Sequence, residues 1–456
     1  MKARLYFYST MLICFFALTN HAAQDSIEGH WRGALSRDGA VQSITIDFYK
    51  DGDVLKARIN TPDVEASEPS ITPAVVSNGK LQFDAFGGKA TLTVDSDLGE
   101  MIGVVGEQTP PIRIHLKRLL RPVEIPVRME DVQFRNGDVT LAGTLITPAL
   151  STSLPPYPAL IWLHGRGKSA RGGFLGFARI LAQRGVASLI FDKRGAGQST
   201  GDHDKASLYD HAGDALAALE FMAARREIDP KQIGLRTNSA GGWVAAIVAN
   251  RTRIPLAFII ANVCPAESVR DQQIHVAKHS MLQSGINFTP DEFAAAATHM
   301  GLIEDYAYTG KGWKGLQASV VKAKQTRWAR FVDLPEVETY EDIVWVRLNQ
   351  YDPGPDLKKI KVPFLALYGG IDYVVPPEEN VKKLEQYLTE AGNSDFKSVV
   401  FPGADHGLTI DGQMRRVEGG ERPDTYYWLW RKRAVGMVET TVDWLLKHVK
   451  LNRAGM

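Results

Sequence analysis

The sequence predicts an α/β protein in which a small antiparallel β domain precedes a doubly wound, mostly parallel sheet with a helical insertion. Residues 26–120 contain only strand-like segments, whereas residues 125–456 alternate between strands and helices. This alternation stops between about 265 and 355, where helical stretches replace it. Alternating strands and helices are typical of parallel sheets that carry helices on both faces. A chain of 456 residues is long enough for two or three domains.

The overall composition is that of a globular protein with a sizeable core. Hydrophobic residues make up 44% of the chain and charged residues 23%. The 53 basic and 52 acidic side chains leave a formal net charge of +1. This balance gives no electrostatic reason to expect a nucleic-acid partner.

The first residues are predicted to be a secretory signal peptide rather than part of the fold. Lys2 and Arg4 form a basic start, Leu5–Leu18 is an apolar run, and two alanines then offer a cleavage site. The apolar run is too short for a comfortable membrane span. We therefore expect removal of residues 1–23 and a secreted or periplasmic protein without a stable membrane span.

Residues 26–120 are predicted to form a small antiparallel sandwich or half-barrel. Asn78-Gly79 is a strong hairpin signal, and Asp51-Gly52 is expected to be a turn between two strands. This part of the sequence carries no reactive group of side chains, so substrate restriction, partner docking and simple packing stay open as its role. The predicted strands are Ser43–Tyr49, Val54–Ile59, Ala74–Val76, Lys80–Phe83, Lys89–Val94, Gly99–Val105 and Ile112–Leu116.

A linker around Arg121-Pro122 leads to the second domain, for which we predict strands and helices in alternation. The insertion at about 265–355 is expected to be a helical cap, with Thr289 as the N-cap of a helix that begins at Pro290. The predicted strands are two within 130–147, then Tyr157–His164, Val186–Asp192, Gln232–Arg236, Leu256–Val263, Val362–Tyr368 and Ser398–Phe401. The predicted helices are Phe174–Arg184, Ser207–Arg226, Trp243–Ala249, Val269–Leu282, Pro290–Met300, Glu378–Ala391 and about 434–449.

One hexapeptide, residues 237–242 (TNSAGG), is predicted to be a nucleophile elbow. It lies between a strand and a helix, and a serine at the tip of such a turn is held in a strained conformation with positive φ. Small residues are needed two positions either side of Ser239, and Thr237 and Gly241 fill these positions. Thr237 departs from the usual glycine. The alternative interpretation is that Asn238 and Ser239 merely cap the helix.

Two later loops offer the partners that a serine nucleophile needs, namely a base and a carboxylate that orients the base. Asp372 follows the predicted strand Val362–Tyr368, and His406 follows the predicted strand Ser398–Phe401. In a doubly wound sheet, such loops meet at the carboxyl ends of the strands. Asp405 competes for the acid role, but an immediate neighbour cannot readily present its carboxylate to the ring of His406. We therefore predict a triad of Ser239, His406 and Asp372.

The negative charge that develops on the attacked carbonyl oxygen needs backbone N–H donors. The N–H of Ala240, at the start of the helix, is the first expected donor. The second is expected from the loop that follows the strand at 157–163, and the sequence leaves Gly165 and Arg166 open as its source. Arg166 could also pair with a substrate carboxylate, although a solvated side chain is the simpler interpretation. This loop contains Gly167-Lys168-Ser169, but Trp162 stands where a phosphate loop has its first glycine, so nucleotide binding is not expected.

Together these motifs resemble the α/β-hydrolase superfamily, in its branch of serine aminopeptidase-like and prolyl-oligopeptidase-like esterases. The resemblance covers about residues 125–450. It rests on the elbow, on His164-Gly165 and on further motifs: residues 191–199 (FDKRGAGQS), 369–372 (GGID) with 375–377 (VPP), and 405–407 (DHG). It implies hydrolysis of an ester, thioester or amide through an acyl-enzyme, without metal or organic cofactor. Thr237 and Asn238 depart from the family pattern and leave the specificity open.

Three functions are compatible with this resemblance. The first is a serine esterase acting on a small acyl ester, and it is preferred. The second is a peptidase acting on short peptides, which would need acidic residues in the cap to hold a free amino terminus; Glu292, Glu304 and Asp305 are candidates. The third is a binding module that has kept the fold without catalysis.

Overall fold

The computed structural model describes residues 27–37, 40–61, 70–77, 79–106, 111–121, 127–151, 153–410 and 433–452. These residues fall into two compact units, one within 27–121 and one within 127–452. The predicted signal peptide, Asn78 of the predicted hairpin and Pro122 of the expected linker lie outside the described residues.

The first unit is a closed, eight-stranded antiparallel β barrel in which each strand pairs with its sequence neighbour and β8 returns to pair with β1. Its interior is filled by alternate side chains of the strands, among them Trp31, Phe48 and Phe83. The strands are β1 (Gly29–Arg37), β2 (Ala40–Asp51), β3 (Val54–Asn60), β4 (Ser70–Ser77), β5 (Lys80–Ala85), β6 (Gly88–Asp95), β7 (Glu100–Val105) and β8 (Ile112–Leu119).

The antiparallel β domain is confirmed, but the sheet closes instead of forming a sandwich or half-barrel. Closure depends on β1, a strand that the sequence did not reveal because two glycines interrupt its pattern. One of them, Gly33, allows close approach of the first and last strands, since a Cβ at this position would lie 1.8 Å from the backbone oxygen of His115. A glycine within a strand often marks such a close contact between backbones.

The second unit is a three-layer α/β structure built on one eight-stranded sheet. Its strands are β9 (Val127–Asn136), β10 (Val139–Pro148), β11 (Tyr157–Leu163), β12 (Ala187–Phe191), β13 (Ile228–Asn238), β14 (Ile259–Asn262), β15 (Phe364–Gly369) and β16 (Phe396–Phe401). Its helices outside the cap are α1 (Leu175–Gln183), α2 (Leu208–Ala223), α3 (Gly241–Arg251), α9 (Pro377–Glu390) and α10 (Met437–His448).

The spatial order of the strands is β16-β15-β14-β13-β11-β12-β10-β9. The six strands from β16 to β12 are parallel to their neighbours, and the hairpin of β9 and β10 adds an antiparallel edge. Side chains on the two faces of β11 enter different cores. Ile161 and Leu163 pack with α2 and α3, whereas Leu160 and Trp162 pack with α1 and α10. The doubly wound, mostly parallel sheet is therefore confirmed.

Between β14 and β15 the chain is helical, as the loss of alternation in the sequence indicated. One of these helices begins at Pro290 with Thr289 as its N-cap, and Glu292 completes a capping box there. The helices are α4 (Val269–Gln283), α5 (Pro290–Thr309), α6 (Trp313–Ala323), α7 (Glu341–Leu348) and α8 (Gly354–Leu357). We refer to residues 265–357 as the cap.

Candidate active site

Ser239 lies at the tip of a sharp turn between β13 and α3. Its φ is +51°, in the left-handed region that non-glycine residues rarely adopt. The Ser239 N–H donates to the backbone oxygen of Asn262 on the neighbouring strand at 2.9 Å, and the Gly242 N–H donates to the Ser239 oxygen at 2.8 Å. Hydrogen bonds on both sides hold the strained residue in place, as is common at functional sites.

The turn is packed so closely that only glycine fits at positions 241 and 242, which follow the serine. A Cβ at Gly241 would lie 2.8 Å from the backbone oxygen of His164, and a Cβ at Gly242 would lie 2.4 Å from the Cβ of Cys264. Thr237, the departure from the usual pattern, is fully buried, and its hydroxyl lies 2.9 Å from the Cys264 sulfur. The threonine is thus accommodated by a polar contact beneath the elbow.

The ring of His406 bridges the other two residues of the predicted triad. Its Nδ1 lies 2.8 Å from the Asp372 carboxylate, and its Nε2 lies 3.0 Å from the Ser239 hydroxyl oxygen. A carboxylate at Asp372 can only accept, so Nδ1 carries the hydrogen and Nε2 is free to accept from the serine hydroxyl. The structure therefore brings the three predicted residues together in the arrangement that proton transfer from serine to histidine requires.

Asp372 is buried, with 1% of its surface exposed, and its carboxylate is fixed from both sides. One oxygen contacts His406, while the other accepts from the N–H groups of Val374 at 2.8 Å and Val375 at 2.9 Å. The loops after β15 and β16 are also joined, because the Gly370 N–H donates to the oxygen of Phe401 at 2.8 Å. These bonds set the separation between the carboxylate and the ring.

Asp405, the competitor for the acid role, shapes the loop that carries His406. One of its oxygens accepts from the N–H of Gly407 at 2.8 Å and from the N–H and hydroxyl of Thr409 at 3.1 and 2.8 Å. Its carboxylate contacts the backbone around His406 rather than the ring. The two candidate acids therefore have different contacts: Asp372 contacts the ring of His406, and Asp405 contacts the backbone next to it.

The loop after β11 lies directly against the serine. A Cβ at Gly165 would lie 3.2 Å from the Ser239 Cβ. Ala240 is the N-cap residue of α3, where backbone N–H groups have no partner within the helix. The two segments from which we expected oxyanion donors therefore face each other across Ser239.

His164 holds the start of this loop through a hydrogen bond to the end of β12. Its Nε2 lies 2.7 Å from the backbone oxygen of Phe191, which can only accept, so this nitrogen carries a hydrogen. Burial lowers the pKa of His164 to about 4, so the ring is neutral near pH 7. These contacts give His164 a structural role at the start of the loop.

The side chain of Arg166 contacts the cap and is about one-third exposed to solvent. Its guanidinium pairs with the Asp342 carboxylate and lies over the Trp345 ring, 4.2 Å from the ring centroid. Both partners belong to α7. The expectation of a solvated arginine did not include these contacts, because the sequence could not show that this helix covers the loop after β11.

A mainly apolar cavity adjoins the same loop, and Gly165, Arg166 and Ala240 form part of its wall. Lys193, His211 and Asn349 are polar residues that also line it. The apolar lining comes from Leu163, Phe191, Leu208, Val244 and Trp345. The surface beside the expected oxyanion donors is therefore mainly apolar.

The three cap acids singled out in the sequence differ in their surroundings. Glu292 pairs with Arg327, and Asp305 pairs with Arg270. Glu304 is buried, with 2% of its surface exposed, and its Oε2 has no hydrogen-bond partner within the described part of the chain. Burial raises the pKa of Glu304 to about 8, so this carboxyl is mostly protonated at neutral pH.

The raised pKa of Glu304 predicts a pH-dependent stability. Between the usual value of 4.5 and about 8, the unfolded chain releases this proton while the folded chain keeps it. The contribution of Glu304 to the free energy of unfolding therefore falls as the pH rises through this window, by on the order of a few kcal/mol. A Glu304→Gln chain should lack this fall, as measured by urea unfolding at about pH 5 and about pH 9.

The matched control for this prediction is Glu341→Gln, which removes an exposed carboxyl at the start of α7. It should retain the pH dependence of the unsubstituted protein. Parallel pH profiles for Glu304→Gln and the unsubstituted protein would contradict the assignment.

Sequence reasoning missed three residues around the loop after β11, namely Lys193, Asp342 and Trp345. Asp342 and Trp345 lie in a helix without any motif. Lys193 belongs to a quoted motif, FDKRGAGQS, but its contacts depend on which strands are neighbours in the sheet.

Asn238 is half-buried, and its Oδ1 has no partner among the described residues.

The described residues lack two further features. They contain no group of His, Cys, Asp or Glu side chains arranged to hold a metal ion. Among the helices of the same residues, none has the length and apolar character needed to cross a membrane.

Comparisons with known proteins agree with these motifs. Residues 155–297 match the family described as serine aminopeptidase, S33. The esterase EstD of Thermotoga maritima is 22% identical over 347 residues, which cover 74% of this chain and 73% of that protein. The quorum-quenching protein AidA of Acinetobacter baumannii is 31% identical over 143 residues, which cover 31% of this chain and 45% of that protein.

Among solved structures, the Pyrococcus horikoshii acylaminoacyl peptidase aligns with a TM-score of 0.45 and 14% identity, over 94% of this chain and 67% of that chain. The family match spans the region from β11 to the cap and includes the elbow. This family match agrees with the order of the strands, the serine at the strained turn and the esterase relative. Together they lead to one conclusion. The second unit has the fold of the α/β-hydrolase superfamily, to which the chain is similar as its motifs predicted.

Proposed function

We propose that this protein is a serine hydrolase that cleaves a carboxylic ester of a small molecule through an acyl-enzyme on Ser239. The observation that carries the proposal is the contact of one imidazole, that of His406, with both Ser239 and Asp372, at 3.0 and 2.8 Å. A strained elbow, a base and a buried carboxylate are the parts that serine nucleophiles use on unrelated folds.

In the proposed first step, the Ser239 oxygen attacks the acyl carbon while its proton passes to Nε2 of His406. Asp372 holds the ring in the required tautomer and stabilises the imidazolium. The negative charge on the former carbonyl oxygen is held by the N–H of Ala240 and by an N–H from the loop at Gly165 and Arg166. Collapse of the tetrahedral intermediate transfers the proton from His406 to the leaving alcohol and leaves the acyl group on Ser239.

In the second step, a water molecule gives its proton to His406 and attacks the acyl-enzyme. The same donors stabilise the second tetrahedral intermediate, and its collapse releases the acid and returns the proton to Ser239. The apolar cavity beside the loop supports an apolar acyl or leaving group. Turnover of p-nitrophenyl esters with acyl chains of increasing length tests the proposal, and the absence of turnover and of an acyl-enzyme across the series would oppose it.

A peptidase acting on short peptides is the second candidate, and the observation that favours it is Glu304. This buried acid of the cap has one oxygen without a partner among the described residues. Its raised pKa weighs against the peptidase, because a protonated carboxyl does not attract a free amino terminus. Turnover of aminoacyl amides and of acyl esters, measured with the unsubstituted protein and with Glu304→Gln, separates the candidates. If Glu304 binds the amino terminus of a peptide, the substitution should lower amide turnover alone.

We further propose that the protein is exported. The support is the basic start at Lys2 and Arg4, followed by the apolar run Leu5–Leu18. The amino-terminal sequence of the protein recovered from a periplasmic fraction tests this. A mature chain that starts after about residue 23 is expected, and recovery from the cytoplasm with residue 1 intact would contradict export.

A further inference from the structure

The second oxyanion donor depends on how two peptide groups of the loop after β11 are turned. In a trans peptide, the carbonyl of one residue and the N–H of the next point in opposite directions. The N–H of Arg166 belongs to the same peptide group as the carbonyl of Gly165. Whatever holds the Gly165 carbonyl therefore also fixes the direction of the Arg166 N–H.

Lys193 holds this carbonyl. Its Nζ donates to the Gly165 oxygen at 2.8 Å and to the Arg166 oxygen at 3.0 Å. The residue is buried, with 6% of its surface exposed. Burial lowers the pKa of the Lys193 ammonium to about 7, but a neutral amine keeps two hydrogens, so both hydrogen bonds can form in either protonation state.

The order of the strands then sets the direction of the N–H. β11 lies between β13, which leads to Ser239, and β12, which leads to Lys193. The Gly165 carbonyl points to the Nζ of Lys193, so the N–H of Arg166 in the same peptide group points away from that nitrogen. Gly165 itself packs against Ser239, with a Cβ position 3.2 Å from the Ser239 Cβ.

We infer that Lys193 is a positioning residue, which turns the Gly165–Arg166 peptide so that the Arg166 N–H serves as the second oxyanion donor. The inference rests on the proposed serine mechanism and resolves the choice that the sequence left open between Gly165 and Arg166. Lys193 does not touch the reacting atoms. The contacts of the Arg166 side chain with Asp342 and Trp345 hold the same residue from the cap.

Lys193→Met keeps the length and apolar stem of the side chain and removes both hydrogen bonds. We expect kcat for ester hydrolysis to fall roughly 10- to 100-fold with KM changed less than about 2-fold, because oxyanion contacts form only in the transition state. A trifluoromethyl ketone, which adds to the serine and forms a similar oxyanion, should bind more weakly by the same factor. If Lys193 only stabilised the fold, the fall in kcat and the weaker inhibitor binding would not share one factor.

Lys205→Met is the control, since the Lys205 side chain is 86% exposed and pairs only with the exposed Asp202 among the described residues. It should leave both quantities unchanged. Unchanged kcat in Lys193→Met, or a fall in kcat without weaker inhibitor binding, would overturn the inference. If Lys193→Met does not fold, Lys193→Leu, which also lacks a donor, is judged by the same two quantities. An inactive unsubstituted protein would instead contradict the serine mechanism itself.

Discussion

Ser239→Ala should lower kcat for ester hydrolysis by about 10⁴- to 10⁶-fold and leave the fold intact. Without the hydroxyl, no acyl-enzyme can form, and the remaining rate reflects only binding and the oxyanion donors. The substitution keeps a small side chain at φ +51°, where the backbone bonds to Asn262 and Gly242 persist. Steady-state kinetics together with thermal unfolding measure both parts of this prediction.

The control is Ser284→Ala, which removes a serine hydroxyl at the end of α4 that donates to the backbone oxygen of Met281 at 2.7 Å. Its activity should match that of the unsubstituted protein. Turnover by Ser239→Ala within about 10-fold of the unsubstituted protein would contradict the role of Ser239, since loss of a nucleophile costs far more.

Asp372→Asn is expected to lower kcat by about 10⁴-fold. The amide has nearly the shape of the carboxylate, but it no longer stabilises the imidazolium of His406. With the amide oxygen still held by the N–H groups of Val374 and Val375, the amide nitrogen would face the ring and favour the wrong tautomer. The loss should therefore appear in kcat with little change in thermal stability.

Asp405→Asn is the matched control, because it removes the charge of the adjacent acid and keeps the oxygen that Gly407 and Thr409 contact. Its kcat should stay within about 10-fold of that of the unsubstituted protein. If Asp405→Asn lost as much activity as Asp372→Asn, or more, the assignment of the orienting acid to Asp372 would be wrong.

Much of the site could be predicted from sequence because its signals are local. Ser239 follows one strand directly and precedes a helix, and Asp372 and His406 lie in the loops after two further strands. Parallel strands bring their carboxyl ends to one edge of the sheet, so this order alone predicts that the three residues meet. The structure places them together through the contacts of the His406 ring with Ser239 and Asp372.

The remaining features depend on contacts between parts of the chain that are distant in sequence. The barrel closes because Gly33 lets the first and last strands of the first unit approach each other, which no local pattern reveals. Arg166 contacts Asp342 and Trp345 because α7 covers its loop. Lys193 reaches this loop because β12 lies beside β11 in the sheet. Pairing and orientation of this kind follow from the global packing rather than from local sequence preference.

Stoichiometric labelling with a fluorophosphonate tests the central claim most directly, because such a probe reacts with an activated serine and needs no knowledge of the substrate. Intact-mass and peptide mass spectrometry should find a single phosphonyl group per chain, on Ser239. Labelling should be absent in Ser239→Ala and strongly slowed in His406→Ala. An unlabelled protein, or a label on any other residue, would contradict the serine mechanism.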